Sequence, residues 1–195
     1  MSNIAEQFDH LARVIASEDF LQRRSLGGEI PFFVSTYNIA DEEEIIKAIR
    51  GLKNRLESQG IPVLEINLYE LALEILAREL GEGVIFEMES GMDKAEFREA
   101  LESVLDIREV LMPAIRRKID AAAAKVYFLT GIGNTYPFIR SHNVLNNLQT
   151  VAKEAPTVAF YPGNYSGTSF ELFGLLKDEN YYRAFNMAQI RYKPS

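Results

Sequence analysis

The chain contains no cysteine, which removes disulfides, thiolate nucleophiles and thiolate metal sites together. No apolar run comes near the ~20 residues that a helix needs to cross a bilayer. The N-terminal stretch MSNIAEQFDHLARVIASEDF mixes acidic with apolar side chains and offers no small-residue cleavage site, so it does not read as a signal peptide. These absences lead us to expect a cytoplasmic protein with no membrane role. Basic residues are in the minority: 21 Lys and Arg against 28 Asp and Glu leave a net charge of −7. A chain that holds nucleic acid by itself normally shows a basic stripe, because the affinity comes from Lys and Arg displacing counterions. The densest basic group, Arg116-Arg117-Lys118, sits close to Asp120 and reads as a solvated helix face. Autonomous nucleic-acid binding is therefore not expected. Repeats, low-complexity blocks and Ser/Pro-rich linkers are missing too, so residues 1–195 read as one domain.

What is present is a patterned apolar fraction of 47%, enough to bury a sizeable core. Residues 3 to about 24 read as one helix, with Ile4, Phe8, Leu11 and Ile15 at steps of three and four and Leu26-Gly-Gly28 ending the 1–25 helical segment. Ile30 to Tyr37 reads as a first strand, and Asp41 with Glu44 as the capping box of a helix that stops at Gly60. Ile61 to Asn67 reads as a second strand, followed by a helix over 68–80. Val84-Ile-Phe86 fits a strand or a helix start; 93–105 and 107–124 read as helices, the second kinked at Pro113. Val126 to Thr130 and Pro156 to Tyr161 read as strands three and four. Residues 180–192 fit a helix or an edge strand, with the aromatics favouring the strand toward the end. Strands alternating with helices imply an α/β fold: a single open, mostly parallel sheet flanked by helices, Rossmann-like or a degenerate nucleotide fold. An N-terminal helix and a helical insertion over 81–125, between strands two and three, complete the expected architecture.

In such sheets ligands bind where loops leave the carboxyl ends of strands. The first exit, Ser35 to Glu44, lacks both a glycine cradle and a Lys-Ser/Thr pair, and its acidic helix start would repel phosphate. The third, Gly131-Ile-Gly133, begins a GxGxxG match that fails at Tyr136, so its glycines read as a tight turn. The helix after it carries an apolar stripe of Val144, Leu145, Leu148 and Val151, with Ser141 or Asn143 as N-cap. Its polar faces hold Arg140, Asn143 and Asn147, then His142, Asn146 and Gln149. Asn is a mediocre helix former, so three in one short helix point to a binding role. The fourth exit, Tyr161 to Thr168, reads as a turn through Gly163, Asn164 and Gly167. Exits three and four are expected to share one surface, made of Arg140, His142, Asn143, Asn147, Tyr161 and Asn164, and the aromatic cluster Tyr181-Tyr182-Arg183-Phe185 fits either that surface or the core.

No catalytic set assembles. There is no GxSxG elbow, and the two histidines, His10 and His142, lie in different elements without a ligand-spaced carboxylate motif. Glu87, Glu89 and Asp93 around Gly91 read as a solvated turn. No metal and no cofactor are expected. The competing reading is a small-molecule or nucleotide-binding enzyme using exits three and four, with Arg140 and backbone amides near Gly131 and Gly133 as its anion site.

Three phrases carry a family resemblance: FLTGIGNTYPFIRSHNVLNNLQ, PTVAFYPGNYSG and LFGLLKDENYYRAFN. Over roughly 125–187 the chain resembles the BrxB family, the small B component of BREX bacteriophage-exclusion systems. That resemblance implies a role in phage defence beside a methyltransferase, a large ATPase and PglZ, a protein of the alkaline-phosphatase superfamily. It implies a non-catalytic assembly component whose partners are other BREX proteins, PglZ foremost, and it supplies no catalytic residues. The sequence does not distinguish a monomer from a homodimer.

Overall fold

The computed structural model describes residues 4–22, 32–177 and 184–192. Five strands form the main parallel sheet: β1 (Phe32–Tyr37), β2 (Val63–Asn67), β3 (Val126–Thr130), β4 (Thr157–Tyr165) and β7 (Phe185–Asn186), in the order β2-β3-β4-β1-β7. Two short strands, β5 (Phe170–Leu172) and β6 (Leu176–Lys177), extend β4 in antiparallel fashion. Thus the α/β class and the open, mostly parallel sheet are as the sequence indicates.

The chain moves across this sheet in two directions. From β1 it passes through α3 (Glu42–Ser58) to β2, beyond both β4 and β3; the next two crossovers step back toward β1. Parallel crossovers are right-handed, so reversing direction places the helices on opposite faces. One layer packs α1 (Ile4–Ile15), α2 (Glu18–Leu21) and α3 against Phe33, Val126, Phe128, Val158 and Phe160. The other packs α4 (Leu68–Leu80), α6 (Lys94–Val104), α7 (Met112–Asp120) and α8 (Ser141–Val151) against Val34, Tyr127, Leu129, Ala159 and Tyr161. Adjacent residues of β3 and β4 serve opposite layers, which is why both strands read as continuous apolar runs.

Several local expectations change. The first helix is not continuous to residue 24. At Ser17 the side chain donates to Val14 O (2.6 Å) and accepts from Phe20 N (3.4 Å), ending α1 and starting α2. Such side-chain bonds compete with the helix ladder. Leu26-Gly-Gly28 and the start of the first strand at Ile30 lie outside the described residues. Asp41 does not cap α3: it has no side-chain cap bond, because the chain leaves β1 already winding through a 3₁₀ turn, Ile39–Asp41. Asn38 Oδ1 caps that turn, accepting from Ala40 N at 3.0 Å.

In the insertion, Val84 to Phe86 belong to a helix, α5 (Glu82–Gly91). The helix expected over 107–124 is instead a π-helical turn, Ile107–Leu111, followed by α7, which stops at Asp120. Asp106 Oδ1 accepts from Arg108 N and Glu109 N (2.9 and 2.8 Å), and Pro113 falls in the first turn of α7, directly after the π-helical turn. The carboxyl-terminal choice between helix and edge strand resolves as the two-residue edge strand β7 followed by a 3₁₀ turn.

β4 also outruns its expected end. It pairs with β1 up to Pro162, then turns over to β5 at Gly163, Asn164 and Tyr165. At Gly163 φ is 143°, and a Cβ there would collide with Glu171 O. Only glycine lets the strand change partners at that point. Phe128 and Phe160, fully buried and edge-on at 5.2 Å, anchor the α1/α3 layer to the two central strands. Phe128→Ala is expected to lower the free energy of unfolding by about 3–5 kcal/mol in urea titrations.

Candidate functional site

Because the crossover leaving β1 covers one face and those leaving β2 and β3 return over the other, the crevice at the carboxyl ends of β1 and β4 is a topological switch point, where α/β sheets hold ligands. An open cleft of about 1050 Å³ lies there, with α1 as one wall and the β4–β5 hairpin as another. Gln7 Nε2 crosses from α1 to donate to Ser35 Oγ and Thr36 O, both at 3.2 Å, and His10 Nε2 meets Met187 O at 3.1 Å. The Tyr37 phenol bonds to Glu42 (3.4 Å); burial, and then that carboxylate, push its pKa upward. The charges lining the cleft are Glu6, Asp41 and Glu44, and among the described residues no Lys or Arg lines it. Glu42, Glu43 and Glu44 fill the first turn of α3 and complement its dipole from within the chain. The cleft lies where open α/β sheets hold ligands, and its carboxylates oppose phosphate.

The glycine loop has a packing explanation. Asn67 Oδ1 accepts from Tyr69 N (3.1 Å) and Glu70 N (3.2 Å), capping α4. Gly131 passes directly over that cap with φ 68°, and a Cβ would overlap Asn67 Oδ1. Gly133 is wedged between Pro162 and Phe173, whose carbons would lie 2.9 and 2.8 Å from an added Cβ. A 3₁₀ turn (Gly133–Thr135) and a cis Tyr136–Pro137 bond then lead to α8.

A second concavity, about 370 Å³, lies between α8 and the π-helical turn. Arg140, Asn143 and Asn147 recur at helical spacing and all line it, beside Arg108, Leu105 and Phe138. Arg140 is the N-cap position of α8 and gives no side-chain cap bond; neither Ser141 nor Asn143 caps the helix as expected. Asn147 Nδ2 donates to Asn143 O at 2.7 Å. The apolar stripe is as read: Val144, Leu145 and Leu148 are buried and Val151 is half-buried.

The six residues grouped from the sequence therefore separate. Arg140, Asn143 and Asn147 share the groove. His142 is half-buried on α8 and does not line it. Asn164 lines the switch-point cleft and is held in the hairpin by donating to Glu171 Oε2 at 2.8 Å. Tyr161 is not on a surface at all: it is 0% exposed, its ring 4.6 Å from Phe170. A central parallel strand is covered on both faces, so consecutive side chains such as Phe160 and Tyr161 are both buried. Phe185 packs on Phe33 in the core, while Tyr181, Tyr182 and Arg183 lie outside the described residues. Sequence reading missed Arg108 and the wall contributed by α1. Asp106, a cap-type residue between the helices read over 93–105 and 107–124, was the available signal for the first. Among the described residues no three His, Asp or Glu side chains gather as a metal site, and no helix is long and apolar enough to cross a membrane.

The family described as BREX protein BrxB matches residues 64–187. Two proteins named BREX protein BrxB are similar along most of their length. One from Bacillus cereus (strain H3081.97) is 33% identical over 192 residues, covering 96% of this chain and 98% of that protein. One from Escherichia coli O9:H4 (strain HS) is 29% identical over 174 residues, covering 89% and 86%. No solved structure matches. The matched region begins at β2 and so includes the helical insertion, the Gly131 loop, α8 and all of β4. Within it, Asn67→Ala is expected to lower stability by about 1 kcal/mol through the lost cap. Gly131→Ala should be worse, through overlap and positive φ, and part of its penalty should vanish in the Asn67→Ala background. A double-mutant cycle of urea midpoints reads that coupling.

Proposed function

The chain belongs to the BREX protein BrxB family, and on that premise we propose that it serves a BREX anti-phage system as a non-catalytic assembly component. Its partners in this reading are other BREX proteins, with a PglZ-type protein as the first expected, and its docking surface is the polar face of α8. One observation carries the reading. The switch-point cleft, where a fold of this kind would seat a nucleotide, is lined by Glu6, Asp41 and Glu44 without Lys or Arg among the described residues, while open polar side chains gather on α8 over a groove. A carboxylate-lined cleft repels the phosphates that nucleotide chemistry requires. An exposed helix face with Arg and Asn beside half-buried Phe138 has instead the mixed character of a protein contact.

Co-purification with the BREX proteins expressed together tests the surface. Arg140→Ala combined with Asn147→Ala is expected to strip off the PglZ-type component while the thermal melt stays that of the wild type. If the folded double variant keeps every partner, the surface lies elsewhere. Titration calorimetry of the pure protein with nucleoside triphosphates is expected to show no saturable heat at millimolar ligand. Saturable binding would favour the enzyme reading built on the loops after β3 and β4.

A further inference from the structure

The groove between the π-helical turn and α8 has a chemistry of its own. Two arginines line it from different elements, Arg108 from the π-helical turn and Arg140 from the start of α8. Among the described residues neither has an ion-pair partner, whereas Arg13, Arg55, Arg78, Arg98 and Arg116 each hold a carboxylate. The two carboxylates that also line the groove are already engaged. Glu102 pairs with Arg98 at 3.4 Å, and Asp106 accepts the amides of Arg108 and Glu109. The apolar part of the lining is Leu105, Ile107, Phe138 and Ile139; Leu105 and Ile139 are almost wholly buried, and Ile107 and Phe138 are half-buried.

We propose that this groove takes an acidic peptide segment of the partner, seating a carboxylate between Arg108 and Arg140 with an apolar neighbour against Phe138. This rests on the docking reading above and specifies the chemistry that docks. Planar guanidinium forks match carboxylates, and Arg is the charged residue most often found at the centre of protein contacts. A nucleic-acid backbone fits less well. Its successive phosphates would need a track of cations, on a chain of net charge −7, where a single carboxylate with an apolar flank needs only Arg108 and Arg140. The cavity of about 370 Å³ suits a few side chains rather than a polymer track.

The test uses the full chain co-expressed with the BREX proteins, with partner retention measured against increasing salt and after nuclease treatment. Arg108→Gln is expected to weaken retention roughly tenfold or more. Arg108→Lys, which keeps the charge and loses the fork, should fall in between. Arg117→Gln, at an exposed position of α7 outside the groove, should change nothing. Thermal melts establish that each variant is folded. Retention that survives Arg108→Gln overturns the proposal, and so does retention that nuclease abolishes. If Arg108→Gln is silent while the Arg140/Asn147 double variant loses its partner, this inference alone falls. If the double variant also keeps its partner, the docking reading falls with it.

Discussion

The structure depends on one constraint: β3 and β4 sit inside a parallel sheet and must be covered on both faces. A single direction of winding would cover only one. The long first crossover through α3 followed by two return steps supplies the second layer, and residues next to each other in a strand then go to opposite cores. Val126 and Phe128 face α1 and α3 while Tyr127 and Leu129 face α4, α7 and α8. The insertion between β2 and β3 gives that second layer its extra helices.

That same reversal opens the crevice beside β1, so cleft and core have a common origin. Shape and charge then part company. The first turn of α3 supplies its own anions, leaving little positive potential for a bound one. The loop that a nucleotide fold would use for close approach to phosphate is occupied by a side-chain cap: Gly131 gives room to Asn67, and Gly133 to Phe173 and Pro162. The fold keeps the topology of a ligand crevice, while Arg140, Asn143 and Asn147 of α8 line a separate groove beside the π-helical turn.

What could be read from the sequence follows from how local each signal is. Val126 to Thr130 announces itself because a strand buried on both faces is a continuous apolar run, and the end of α3 is marked by Gly60, whose φ is 75°. The apolar stripe of α8 is fixed by spacing within one helix. Features set by distant chain segments were not readable. Pro162 and Gly163 look like a turn until Glu171 is known to lie alongside, and then they are strand. Tyr161 carries a hydroxyl that suits surface or core equally, and only the sheet order buries it. Ser17 shows that one side chain competing for backbone groups can interrupt an otherwise persuasive helical period. In the groove, Arg140, Asn143 and Asn147 were legible as a face, but Arg108 joins them through tertiary packing alone.

The nine residues of β4 belong to two pairings end to end: its first part lies between β3 and β1, its last part holds the hairpin of β5 and β6. In mechanical terms the hairpin is a handle on the central strand. Its backbone is continuous with a strand clamped by ladders on both sides, so a pull along that axis would be carried as shear shared among many hydrogen bonds rather than peeling them one by one. The wall of the switch-point cleft is thereby fastened to a strand held by ladders on both sides.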